Sequence, residues 1–151
     1  MDFLEISTPQ KAKKPYLLRQ ELKRTLKPII AKPIINKNDG RTAIISSKSI
    51  GKLSSSKAAY ESIKNGFSEA QHFEAAKHIK TLYEHANFKG SSPDKYGNTE
   101  VKIHRYTADF LFDNKPAQAK ITLKETTSGI YKGNKIYTIE LESIAKLSSE
   151  P

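Results

Sequence analysis

The sequence predicts an α+β domain: two helices packed on one face of a twisted antiparallel sheet of about four strands, with a basic N-terminal arm. Three observations predict it. Residues 118–141 read QAKITLKETTSGIYKGNKIYTIEL, two runs of alternating apolar and polar residues joined by a turn containing Ser128, Gly129, Gly133 and Asn134. Two stretches of helical periodicity precede them. The first forty residues are unlike the rest, rich in Lys and interrupted by Pro15, Pro28 and Pro33.

Taken in order, residues 1–40 form a basic arm or linker and 41–147 the folded domain. In the arm, Lys11, Lys13, Lys14, Arg19, Lys23, Arg24, Lys27, Lys32 and Lys37 outnumber Asp2, Glu5, Glu21 and Asp39. Leu17, Leu18, Leu22 and Leu26 permit a helix from Pro15 to Leu26, which the restriction on residues before proline ends ahead of Pro28. The rest of the arm is expected to be extended, either docking nucleic acid or a partner or linking this domain to others. Thr42 to Ser46 suits a strand, after the turn residues Asn38, Asp39 and Gly40. Serines 54–56 can cap a helix running through Ala58, Ala59 and Ile63 to a stop at Asn65-Gly66. Ser68 with Gln71 makes a capping box for a second helix carrying Phe73, Ala76, Ile79, Leu82 and Tyr83. Residues 87–98, with Gly90, Pro93, Asp94 and Gly97, read as a loop.

In the next strand Val101, Ile103 and Arg105 alternate with Lys102, His104 and Tyr106, while Phe110 and Phe112 have the opposite parity. That change predicts a bulge between Thr107 and Asp109 and a hairpin at 113–116. Phe112 then faces Ala117, and His104 comes opposite Lys124. In the final hairpin Ala119, Ile121, Leu123, Tyr137, Ile139 and Leu141 share the core face. With Glu125 opposite Lys135, Thr122 lies across from Thr138 and Lys120 across from Glu140. The uncovered face therefore gathers His104, Lys124, Lys120, Glu140, Thr122, Thr138 and Tyr106.

Composition narrows the function. The 151 residues carry a net charge of +10 with a pI near 9.7, which favours a polyanionic partner (RNA, DNA or an anionic surface) over a charge that serves solubility alone. Mean hydropathy of -0.62, no apolar run of membrane-spanning length and no signal-peptide pattern predict a soluble, cytoplasmic protein without a membrane partner. With no cysteine, disulfides and thiolate metal sites are excluded. There is no Gly-x-Ser-x-Gly, no His-Glu-x-x-His, no acidic metal cluster and no dinucleotide fingerprint. Triad hydrolases, zinc proteases and dinucleotide enzymes are disfavoured, and neither metal nor cofactor is expected.

The predicted platform suits metal-independent RNA cleavage, which needs a base, an acid and cations around the phosphate. His104 can exchange protons near neutral pH, Lys124 and Lys120 can hold phosphate, Thr122 and Thr138 can donate hydrogen bonds, and Glu140 can serve as second proton carrier. His72, near a helix start, is a further candidate or else a residue packed under a loop. Lys52, Ser56 and Lys57 form an anion cradle at a helix N-terminus, and Arg105, a further cation with core parity, either lies at the sheet's rim or pairs with a carboxylate such as Glu125. His72, His78 and His85 are spaced by six and seven residues, unlike metal ligands on one helical face. The plainer alternative is a solvated strand face of Lys, Thr and Glu.

The run GKLSSSKAAYESIKNGFSEAQHFEAAKHIKTLYEHA, then VKIHRY, AKITLKE and GNKIYTIEL, resembles phage-associated domains of the barnase, EndoU, colicin and RelE-like nuclease superfamily. Such domains occur in large polyvalent phage proteins and Mu-like head-morphogenesis proteins. The resemblance covers about residues 42–145. It implies two helices followed by a four-stranded antiparallel sheet, and a metal-independent ribonuclease, often a toxin delivered with a phage or conjugative element. Its partners would be RNA and either an immunity protein or a phage structural protein. The matching polar positions are Lys52, Ser56, Lys57, His72, His104, Arg105, Lys124, Glu125 and Tyr137. The rival expectation is a non-catalytic module of a phage protein that binds nucleic acid or protein.

Overall fold

The computed structural model describes residues 4–9, 13–53, 56–93, 101–126 and 136–147. In chain order the elements are β1 (Glu5–Ile6), α1 (Pro15–Leu26), a 3-10 turn (Lys27–Ile29), β2 (Ile34–Ile35) and β3 (Thr42–Ala43). Helices α2 (Ser47–Leu53), α3 (Ser56–Lys64), α4 (Glu69–Ala76) and α5 (Ile79–His85) follow, then β4 (Asn87–Pro93), β5 (Val101–Phe112), β6 (Lys115–Thr126) and β7 (Ile136–Lys146). The class is α+β, as the sequence predicts, and the sheet is open.

Three long antiparallel strands, β5, β6 and β7, make the sheet's body. The outer edge of β5 is shared: β4 pairs antiparallel with its first half, and β1 pairs parallel with Leu111 and Phe112, so the sheet is mixed. β2 and β3 form a separate two-stranded ribbon, joined to β7 by a parallel bridge between Ile44 and Thr138. The segment expected to be a loop at 87–98 thus holds a strand over Asn87–Pro93. Its bulge between Phe88 and Gly90 absorbs the glycine that made it look irregular. Asp94 and Gly97 lie outside the described residues.

Helices form where expected, and further ones accompany them. Pro15 opens α1, and Leu18, Leu22 and Leu26, four residues apart, are buried on one stripe. They belong to the same apolar cluster as Phe73, Ile79, Leu82, Phe110, Ile121 and Ile139, so the basic arm contributes side chains to the common core. The capping box of α4 is present: Ser68 Oγ accepts from Gln71 N at 3.1 Å and Gln71 Oε1 from Ser68 N at 2.9 Å. The second predicted helix is two, because His78, at φ -101° and ψ 18°, interrupts it before Ile79. α2, α3 and α4 lie against β7, and α5 against β5.

The register of β5 and β6 corrects the predicted one. Pairing runs without a bulge from Val101 opposite Thr126 to Phe112 opposite Lys115, around a tight turn in which Asp113 and Asn114 have φ of 50° and 66°. Phe110, not Phe112, faces Ala117, and His104 faces Leu123, not Lys124. His104 therefore has core parity with Tyr106, Ala108, Phe110 and Phe112, while Ile103 and Arg105 point to the other side. In β6 and β7 the predicted faces hold but the register is displaced by two residues: Thr122 faces Glu140 and Lys124 faces Thr138. An even displacement leaves every side chain on its own face. Lys120 faces Ser143 beyond a bulge, so its predicted pairing with Glu140 does not form.

Two sets of polar contacts tie the layers. Ser62 Oγ accepts from Ile144 N at 3.0 Å and shares a hydrogen bond with His72 Nδ1 at 2.8 Å, locking α3, α4 and β7 together. Glu21 on α1 accepts from Lys77 at 3.0 Å and from Lys13. Those bonds, Lys13's first, hold its carboxyl at about 2 instead of 4.5.

Ser62→Ala strands two buried polar groups, each worth about 1–3 kcal/mol, and should lower stability by about 2 kcal/mol or more in urea unfolding. An unchanged midpoint would contradict the bond. For Glu21, the depressed folded-state value means its stabilisation is complete above 4.5 and disappears as pH falls from 4.5 towards 2. Stability against pH for Glu21→Gln should therefore lie below the parent at pH 6 and converge with it near pH 2.

Candidate functional site

The site lies where the β2–β3 turn meets the first residues of β5, and it starts from Asn36. This side chain is fully buried, and its Nδ2 donates at the end of α5 to the carbonyls of Tyr83 at 2.7 Å, which also accepts from Ala86 N at 3.2 Å, and of Ala86 at 2.9 Å. Its Oδ1 accepts from the backbone of Asn38 and Asp39, both at 2.9 Å, and Gly40, at φ +77°, closes the turn on Asn36 O. Tyr83 Oη then donates to Arg41 O at 2.7 Å. The backbone of Arg41 is thereby fixed on the α5 end.

The Arg41 guanidinium lies 5.6 Å from the Phe88 ring centroid and 5.1 Å from that of Tyr137. Its Nη1 donates to Tyr106 Oη at 3.1 Å, and Tyr106 donates in turn to the Asp39 carboxylate. Burial alone would lower the pKa of Arg41, but Tyr106, Tyr137 and Asp39 together outweigh it and raise it. Burial and the bond to Asp39 push Tyr106 up to about 12, so it remains a neutral donor. A cavity of about 470 Å³, lined by residues 39–44 and Tyr137, opens beside this guanidinium.

Behind the same two rings sits His104, its centroid 6.4 Å from Phe88 and 5.7 Å from Tyr137. Nε2 lies 2.7 Å from Glu125 Oε1, and Nδ1 lies 2.6 Å from Ser91 Oγ. His104 and Glu125 are buried, whereas Ser91, on the edge strand β4, is exposed. When the ring is neutral and its Nε2 proton goes to an ionised Glu125, which only accepts, Nδ1 accepts from the Ser91 hydroxyl.

Of the predicted site residues, His104 and Lys124 do not meet. Lys124, with Lys120, Thr122, Thr138 and Glu140, occupies the face turned away from the core, because β5 runs in the opposite phase to the predicted one. Tyr106, expected on that uncovered face, is buried on the core side. Arg105 is exposed on the outer face and donates from Nη1 to Ser92 Oγ at 2.6 Å. His72 is fully buried against Ser62, which closes it to any substrate. Lys52 falls in α2, Ser56 starts α3 and Lys57 is exposed. The side chains of Lys52 and Ser56 lie outside the described residues. Glu125 and Tyr137, matched only by resemblance, do join His104. Arg41, Phe88 and Ser91 escaped notice: Phe88 and Ser91 are brought in by pairing across the sheet, opposite Tyr106 and His104, and Arg41 by the turn that Asn36 and Tyr83 hold; the one local signal was an arginine between a tight turn and a short apolar run. Among the described residues no three His, Asp or Glu side chains gather as metal ligands.

A family description, large polyvalent protein-associated domain 3, matches residues 13–137 of the 151. The chain belongs to that family. Membership supports the phage-associated polyvalent-protein setting that the resemblance implied. No curated protein and no solved structure gives a significant match. In this large polyvalent protein-associated domain 3, Arg41, Phe88, Ser91, His104, Glu125 and Tyr137 all fall inside the matched segment, whereas β1 and most of β7 lie outside it. No helix among the described residues is long and apolar enough to cross a membrane.

Because the folded state raises Tyr106 from 10.0 to about 12, the neutral phenol stabilises this domain fully below pH 10, and that contribution is lost as pH rises from 10 through 12. In an alkaline absorbance titration Tyr106→Phe should remove one phenol that ionises well above pH 10. An unchanged absorbance rise between about pH 11 and 13 would contradict the buried donor.

Proposed function

We propose that this domain cleaves RNA without a metal ion, by acid–base catalysis at the corner where Arg41, Tyr137 and His104 meet. The observation that carries the reading is the pair of rings, Phe88 and Tyr137, that holds a guanidinium and an imidazole over one small patch. Arg41 offers a planar fork of donors matched to a phosphodiester, and it stays charged. His104 moves the proton, and Glu125 stabilises the imidazolium that forms. Lys102, exposed on β5 with the parity of His104, and the net charge of +10 draw a polyanion to the same corner. This arrangement replaces the predicted pairing of His104 with Lys124. It is compatible with a toxin carried by a phage or mobile element, restrained by an immunity protein.

A second reading, a nucleic-acid-binding module of a polyvalent protein, is favoured by the burial of His104, 5% exposed with both ring nitrogens engaged. Purified protein incubated with total RNA in EDTA separates the two. Cleavage is expected, reduced about a hundredfold or more by Arg41→Ala or His104→Ala and unaffected by Lys124→Ala on the opposite face. RNA affinity that falls steeply with salt, without product, would establish the binding module instead.

A further inference from the structure

A phosphodiester can be attacked by the neighbouring 2′-hydroxyl of RNA or by a hydroxyl of the protein, and one protein hydroxyl is already engaged with the base. We propose that Ser91 is the nucleophile of this site, accepting phosphorus onto Oγ before water releases it. For its substrate class, phosphodiesters, the inference rests on the RNA-cleaving reading; for the activation of Ser91 it rests on geometry alone.

That geometry is a nucleophile, a base and an orienting acid in sequence: Ser91 Oγ 2.6 Å from His104 Nδ1, and His104 Nε2 2.7 Å from Glu125 Oε1. The exposure gradient has the right sense. The hydroxyl is accessible on an edge strand, while the imidazole and carboxylate behind it are enclosed, with side-chain exposures of 7% and 8%. The bulge between Phe88 and Gly90 brings Ser91 opposite His104 in the β4–β5 pairing, a placement bulges commonly provide beside active sites. The chain lacks the Gly-x-Ser-x-Gly turn of α/β hydrolases, but such arrays are identified by geometry and role, not by sequence position. Here the ring nitrogens exchange duties, serine on Nδ1 and carboxylate on Nε2. Either nitrogen of a neutral imidazole can serve as base once the other holds the proton.

The step balances within the chain. His104 Nδ1 takes the Ser91 proton as the Oγ–P bond forms and the bond from phosphorus to the leaving oxygen breaks. That oxygen receives the proton from Nδ1. Water then gives its proton to Nδ1 and attacks phosphorus, and the Oγ–P bond breaks with Ser91 reprotonated. Arg41, set against the same two rings as His104, is the cation for the charge that develops on the phosphoryl oxygens. Because no 2′-hydroxyl takes part, linkages blocked at that position remain substrates.

Two measurements on the full chain test it. A fluorophosphonate, whose fluoride leaves as Oγ–P forms, should add once, at Ser91 by peptide mass mapping. The adduct should be absent in Ser91→Ala and slowed about a hundredfold or more in Glu125→Gln, which keeps an acceptor for Nε2 but loses the charge. In parallel, RNA with 2′-O-methyl groups throughout should still be cut by the parent and not by Ser91→Ala, assayed well below that variant's unfolding temperature, which should fall because His104 Nδ1 loses its hydroxyl partner. Labelling of Ser91 without any RNA cleavage would sustain the activated serine and reject RNA as substrate. RNA cleavage that survives Ser91→Ala and stops on 2′-O-methylation would overturn the proposal and keep the RNA reading. No labelling at Ser91 would overturn it as well, leaving that hydroxyl a structural partner of a buried histidine.

Discussion

A hydrogen bond between two enclosed side chains, His104 and Glu125, decides how the sheet is laid out. Neither group tolerates burial unpaired, since an orphaned carboxylate or imidazole at that depth forfeits its hydration with nothing in return. Side by side at 2.7 Å, each supplies what the other lost to water. The pairing lets β5 present a histidine on the same side as Tyr106, Ala108, Phe110 and Phe112, and the strand needs no bulge to bring its aromatics inward. It also places Glu125 beside Tyr137, its partner on β7, and His104 beside Ser91 on β4. Four strands contribute to one corner because that bond sets their phase.

Arg41 reaches the corner by a different route, and buried amide chemistry brings it there. At the end of α5 Asn36 donates to the carbonyls of Tyr83 and Ala86, adding to the single capping bond from Ala86 N, while its own oxygen holds the turn 36–41. One side chain thereby closes a helix end and orients a loop. The guanidinium that emerges between Phe88 and Tyr137 sits on a rigid support, which is what a group that must meet a phosphate with little reorganisation requires. Asp39 and Tyr106 accompany it, yet the carboxylate is engaged by the phenol and by the Arg41 backbone.

What was legible in the sequence divides along the range of the interactions. The helix start at Ser68 and the stripe of Leu18, Leu22 and Leu26 were plain, because their causes lie within a few residues. So were the faces of β6 and β7, where alternation is strict. The phase of β5 was not: Val101 and Ile103 outweigh His104 on any hydropathy pattern, and only the distant Glu125 and Ser91 make the histidine acceptable inside. β4 was hidden by Gly90 and Pro93, which read as a loop until an adjacent strand supplies their partners. The register of the last hairpin depends on residues 127–135, where the turn's length in the sequence leaves several even displacements equivalent. Candidate residues drawn from the platform shared the error in β5's phase; Glu125 and Tyr137, named through the resemblance, did not depend on it.

The strand β1 lies ahead of the segment that defines the family, yet Leu4 O and Ile6 O accept from Leu111 N and Asp113 N at 2.9 Å each. Thr8 bonds the Asp113 carboxylate by backbone and side chain, and Gln71 at the head of α4 donates to the same hydroxyl at 2.9 Å. An excised piece limited to residues 13–137 would bare the tip of β5 on one side and, shorn of most of β7, the flank of β6 on the other. Raw β-edges of that kind recruit neighbouring polypeptides into fibrils or clumps, so the recognisable family signature is shorter than the smallest unit that can be handled in solution.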